Sequence, residues 1–217
     1  MTLSDNGELQ VLDEIFNAGV GTFPAADPWI QLHSGDPGEA GTTNVVNVAR
    51  VQAAFGAAAA GTLSNSGNID FTSMPAVTAP GVVGWSVWDA AGSGGPPTGG
   101  NCFWTGWFST VGYPSLCNDT TGDTFRLVTG HGLVVDDRVV LEVIEGLAVP
   151  TGTSAGTLYY VGTSAANTIT LSTTAGNGNP VAITAEGYAM IRKVVGKTTN
   201  SGDTFRIATG DLDLFID

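Results

Sequence analysis

The chain has 217 residues, of which 20 are acidic and 7 basic, for a formal net charge of −13. A body of this length buries roughly 70% of the surface its unfolded chain exposes, so one large β-domain or two small ones can form a core without disulfide or metal staples. The charge repels phosphate backbones and anionic lipid, which argues against nucleic acid and membranes as partners, and no run of about 18 apolar residues offers a membrane span.

Met1 to Asn6 lack the basic and apolar stretches of a signal peptide, so a soluble protein made in the cytoplasm of its host cell is expected. Charged residues make up only 12% of the chain, while Gly, Ala, Thr, Ser and Val dominate, which is the composition of short strands joined by many turns. A helix is predicted over about residues 5–18. Asp5 and Glu8 suit its start, Leu9, Leu12, Ile15 and Phe16 recur at helical spacing, and Gly19 suits its end. Strand-like runs follow at Trp29 to His33, Val45 to Phe55, Ile69 to Phe71, Val82 to Asp89 and Cys102 to Phe108. Between them, Ala91 to Asn101 reads AGSGGPPTGGN and is expected to be an exposed, mobile loop. The absence of alternating helical segments points to antiparallel sheets.

A repeat marks the domain organisation. Gly122-Asp123-Thr124-Phe125-Arg126-Leu127-Val128-Thr129-Gly130 returns as Gly202-Asp203-Thr204-Phe205-Arg206-Ile207-Ala208-Thr209-Gly210. Two copies so far apart do not make a solenoid; they read as similar strand entries in two domains. Further strands are predicted between the copies at Arg138 to Val143, Thr157 to Val161, Thr168 to Ser172, Val181 to Thr184 and Tyr188 to Val194. The expected fold is therefore all-β. An antiparallel, jelly-roll-like sandwich is predicted for residues 1–117 and 195–217, with a small β-barrel or sandwich inserted over 118–194.

The outer part resembles a widespread group of phage virion proteins described as minor tail, tail-fibre or head-decoration proteins. The likeness rests on Leu12-Asp13-Glu14-Ile15-Phe16, Ile30 to Gly38, where the group usually has Thr-Ala in place of Ser34-Gly35, and Asn65 with Ile69-Asp70-Phe71. It continues through Val87-Trp88-Asp89-Ala90, Phe103-Trp104-Thr105-Gly106, and Gly202 to Ile207 with Gly210-Asp211-Leu212. The inserted part is similar to another recurrent phage module in Thr124 to Val140, Gly156 to Val161 and Thr168 to Ser172. The resemblance implies a structural protein of the virion, with no catalytic activity or cofactor.

The residues themselves offer little chemistry. His33-Ser34-Gly35-Asp36 contains hydrolytic residue types, but neighbours at a strand end point in alternating directions and do not converge. The carboxylates Asp36, Glu39, Asp123, Asp136, Asp137 and Asp203 fall in turns, and a glycosidase pair cannot be read from sequence separation. His33 and His131 are far apart, and Cys102 and Cys117 lack the spacing of a metal site, so two free thiols and no metal are expected. Trp85 and Trp88 are three apart on one strand and Trp104 and Trp107 on the next, so each strand sends one indole to each face. The outward indoles, with the stripe Leu9, Leu12, Ile15 and Phe16, are the candidate contact surfaces. The expected function is a capsid decoration protein contacting the major capsid protein and assembling as a homo-oligomer, most naturally a trimer. The alternative is a tail or tail-fibre component contacting tail proteins and a host-surface glycan.

Overall fold

Short segments rich in β-branched and aromatic residues, interrupted by glycine and proline, form strands along most of this chain. The computed structural model describes residues 2–3, 28–56, 62–144 and 146–215, and within them the only helical element is a 3-10 turn at Ala175–Asn177. The predicted helix over 5–18 lies outside the described residues. The chain divides into two compact units, Met1–Phe108 with Gly196–Asp217, and Ser109–Val195. Ladders between strands are antiparallel throughout.

The outer unit contains β1 (Thr2–Leu3), β2 (Trp29–His33), β3 (Val51–Gln52), β4 (Thr62–Ser64), β5 (Ile69–Phe71), β6 (Val77–Val82), β7 (Gly84–Trp88) and β8 (Cys102–Trp107). Five of these form one sheet in the order β1-β8-β7-β2-β3. Of the long run predicted at Val45 to Phe55, only β3 is a strand. Val46 and Val48 are buried in an irregular strap instead, with the Val46 amide donating to the Leu32 carbonyl.

The inner unit contains β9 (Ser109–Asp119), β10 (Thr124–Arg126), β11 (Arg138–Glu142), β12 (Leu158–Ser164), β13 (Thr168–Ser172) and β14 (Gly187–Val194). They close into a barrel in the order β10-β13-β12-β11-β14-β9, which leaves no open sheet edge. Its first strand begins at Ser109, nine residues before the boundary expected from the sequence, because Gly112 and Pro114 make that strand look like a loop. Val181 to Thr184, expected as a strand, is an irregular segment that follows Pro180 and tucks Val181 and Ile183 into the barrel core.

The chain then returns to the outer unit as β15 (Lys197–Thr199), β16 (Phe205–Ile207) and β17 (Asp213–Phe215), which pair with β6, β5 and β4 respectively. One five-stranded sheet thus packs against three two-stranded ladders, an arrangement short of the two full sheets of a jelly roll. Ile30 and Leu32 from β2, Trp85 and Val87 from β7, and Phe71 and Phe205 from the facing ladder share one core. Phe71 and Phe205 are direct cross-strand partners and meet edge to face at 6.4 Å. Burying such a side chain contributes about 2–3 kcal/mol, so this pair anchors the returning segment. The barrel core is separate, built from Phe125, Val139, Leu141, Val161, Ile169 and Ile191 among others.

Candidate functional site

The five-stranded sheet has two faces of different chemistry. Alternate residues Ile30, Leu32, Trp85 and Val87 enter the core, so Gln31, His33, Ser86 and Trp88 stand on the opposite face. All five residues of β7 are nonetheless buried, because the middle of the strap, residues 37–43, covers that second face. Gly41 (φ +64°) makes the close approach possible. A Cβ there would lie 2.6 Å from the Cys102 sulfur and 3.0 Å from the Trp88 ring.

Beneath the strap runs a chain of hydrogen bonds whose directions follow from the groups involved. The Trp88 indole N–H donates to the Ser86 hydroxyl (2.7 Å), Ser86 donates to His33 Nε2 (2.7 Å), and His33 Nδ1–H donates to the Thr43 carbonyl (2.7 Å). His33 is fully buried, and desolvation lowers its pKa to about 4 against the opposing effect of the Thr43 hydrogen bond. Gln31 also holds the strap, donating to the Val46 carbonyl at 3.1 Å. Arg50 stacks 3.6 Å above the Trp88 ring and donates to the carbonyls of Ala90 and Gly99. Burial pushes the Cys102 thiol up to about 12, so it stays protonated and a poor nucleophile at neutral pH.

This arrangement redistributes the residues singled out in the sequence. His33 pairs with Ser86 rather than its neighbour Ser34, whose hydroxyl donates to the Asn44 carbonyl. The Asp36 carboxylate accepts from the Gly38 amide and serves a turn. A Ser–His pair at hydrogen-bond distance resembles half of a nucleophilic site, but both residues are fully buried beneath the strap. The other carboxylates also hold local structure. Asp70 receives a bidentate contact from Arg206, which keeps its carboxyl below the ordinary range. Asp123 accepts from the Ile183 amide, Asp136 from the Gly176 amide and Asp203 from the Asn200 amide. No three His, Cys, Asp or Glu side chains converge as a metal site among the described residues. Both cysteines are buried and neither is in a disulfide, and there is one in each unit.

Among the candidate contact residues, Leu9, Leu12, Ile15 and Phe16 lie outside the described residues. Trp85 is in the core. Trp88 faces away from the core as the spacing predicts, yet it is buried rather than outward because the strap and Arg50 cover it. Trp104 is half-buried against the core, and Trp107, three residues on, is half-buried on the other face. The glycine-rich loop is exposed, as expected, but it is tied rather than loose. Ser93 and Thr98 exchange backbone hydrogen bonds at 2.9 Å, Arg50 grips Gly99, and Asp89 accepts from both the amide and the side chain of Asn101.

The sequence reading missed an apolar surface on the barrel. Val128, Val134 and Val135 are 54%, 59% and 48% exposed. The adjacent valines followed by Asp136-Asp137 were the available signal, since an acidic turn leaves such a pair little room to bury itself.

Comparison with protein families supplies the class that this all-β architecture leaves open, that of bacteriophage virion structural proteins. Residues 2–131 match the family described as podophage GP4 fiber I protein gp80, about three-fifths of the chain, and the chain belongs to that family. A comparison with curated proteins finds no match. No helix among the described residues is long and apolar enough to cross a membrane.

Proposed function

We propose that this chain is a non-enzymatic building block of a phage tail fibre, associating there with other virion proteins. The observation that carries the proposal is the family match over residues 2–131, which includes most of the outer unit and continues to His131 in the barrel. This reading replaces capsid decoration, which the sequence favoured because the chain has no long fibrous repeat. Two folded units threaded on one chain can serve as one segment of a fibre built from many parts, so the missing repeat is no objection. Host-glycan binding is left out of the proposal, since Trp85 and Trp88, two of the four indoles it would draw on, are buried.

The test is location. Gold-labelled antibody against the purified chain is expected to decorate tail fibres in electron micrographs of intact particles. Label over the head alone sinks the fibre reading.

A further inference from the structure

Large exposed apolar residues are unevenly distributed among the described residues: all of them lie in the barrel unit. The strand directions sort them between its two ends. Strands β9, β11 and β13 run one way and β10, β12 and β14 the other. Val128, Val134, Val135 and Val195 belong to the end at which Ser109 and Val195 join the barrel to the outer unit. Val143, Leu147 and Tyr188, which are 58%, 40% and 43% exposed, belong to the opposite end, away from both connections.

Backbone hydrogen bonds gather these three residues. β11 pairs with β14 as far as Glu142 opposite Met190, so Val143 follows directly beside that strand. The chain then turns, with the Leu147 amide donating to the Ile144 carbonyl, and the Tyr188 amide donates to the carbonyl of Ala148 next along, both at 2.9 Å. Gly187 permits this approach, since a Cβ there would lie 2.7 Å from the Ala148 carbonyl oxygen. The same two segments are tied again by the Thr184 amide to the Thr151 carbonyl (2.9 Å) and the Thr151 amide to the Ala185 carbonyl (3.2 Å). Leu147 and Tyr188 therefore stand on ordered backbone beside the exposed Glu186, so little conformational entropy remains to be lost on docking.

Charge identifies the occupant. The segments that join strands at this end, residues 120–123, 143–157 and 173–186, contain carboxylates, Asp123 and Glu186 among them, and no Lys or Arg. Glu142, at the end of β11, pairs with Arg192. The other basic side chains of the barrel, Arg126, Arg138 and Lys193, sit on strand positions towards the opposite end. A second copy would set carboxylate against carboxylate here, whereas a cationic segment is drawn in by a chain of net charge −13. The outer unit attracts cations too, with thirteen acidic and three basic side chains, but its described residues include no large exposed apolar side chain to hold an apolar partner. A long cationic side chain suits the barrel end on both counts: its aliphatic stem covers Val143 and Leu147, and its head meets the Tyr188 ring and the Glu186 carboxylate. We propose that this end of the barrel docks a partner protein through a segment in which arginine or lysine is flanked by apolar residues. The proposal goes beyond the fibre reading and stands or falls separately from it.

NMR titration of the isotope-labelled full chain tests it, using a short capped peptide that alternates leucine with arginine. Control peptides alternate leucine with glutamate and serine with arginine. The leucine–arginine peptide is expected to shift the amides of residues 146–148 and 186–188 and to bind about tenfold more tightly than the serine–arginine peptide, while the leucine–glutamate peptide does not bind. Leu147→Ser with Tyr188→Ser is expected to weaken binding about tenfold, as is Glu186→Lys, whereas Val134→Thr with Val135→Thr at the other end leaves it unchanged. Should the Leu147 and Tyr188 double variant disturb the barrel by circular dichroism, Glu186→Gln changes only an exposed side chain and is expected to weaken binding about threefold. Failure of the leucine–arginine peptide to bind, equal binding by either control, shifts centred on the outer unit or on Val134 and Val135, or an affinity indifferent to the variants at this end overturns the proposal. So does a peptide-free chain whose amides at 146–148 and 186–188 shift with its own concentration, since a second copy is then the occupant.

Discussion

His33 holds its proton on Nδ1 because a carbonyl, which can only accept, faces that nitrogen, while Ser86 supplies a hydroxyl to the other. Protonating Nε2 would turn that second hydrogen bond around, leave the Ser86 hydroxyl proton without its acceptor, and place a cation in a fully buried site near Arg50. The unfolded chain takes up this proton near pH 6.5, whereas the folded chain resists it until about pH 4. The contribution of neutral His33 is therefore fully present above about pH 6.5 and is lost as the pH falls towards 4, amounting to about 3 kcal/mol. An NMR titration of the two histidine rings is expected to show His33 unprotonated at pH 5, with urea midpoints falling between pH 7 and pH 5. A His33 ring that titrates near 6.5 would contradict the buried clamp. The sequence flagged His33 but not its partners, because Thr43 and Ser86 stand ten and fifty-three residues away and only the sheet register brings them together.

Elements of this fold were legible where one face is apolar and the other wet. The two copies of the repeat show the same pattern: Phe125 and Leu127 are buried around exposed Arg126, as Phe205 and Ile207 are around Arg206. Their partners differ, Ile169 and Thr168 in the barrel and Phe71 and Asp70 in the outer unit, so one motif serves two sheets. β9 was hidden by Gly112 and Pro114, and the strap by its irregular backbone, since neither shows a two-residue period. The strap's dependence on Gly41 is directly testable. Gly41→Ala meets both a positive φ and a crowded site against Cys102, Trp88 and Ser86, and is expected to cost about 2–5 kcal/mol. Gly210→Ala, also at positive φ (+81°) but with nothing within 4 Å of the added carbon, is expected to cost about 1–2 kcal/mol. Urea unfolding of the two variants checks the difference; equal losses would mean that the strap is not packed against the sheet as described.

At the scale of the whole molecule, the closeness of the barrel's first and last residues lets one unit be threaded into the chain of the other. Val194 and Ser109 are cross-strand partners in the β14–β9 ladder, so the chain enters and leaves the barrel about 5 Å apart. Removing the barrel therefore leaves Phe108 and Gly196 a gap that two or three flexible residues can close. The barrel has its own closed ladder and its own core, and it exceeds the roughly 40 residues below which a domain needs staples. We expect the fragment Ser109–Val195 to unfold cooperatively by itself, and the outer unit to do so when Phe108 is joined to Gly196 through a short Gly-Ser link. The second case is the more demanding. β15, β16 and β17 reach β6, β5 and β4 only if the returning segment starts from the correct place, and Phe205 must still find Phe71. A linked outer unit that melts without a cooperative transition, beside a barrel fragment that folds, would mean that the barrel holds its host together rather than being carried by it.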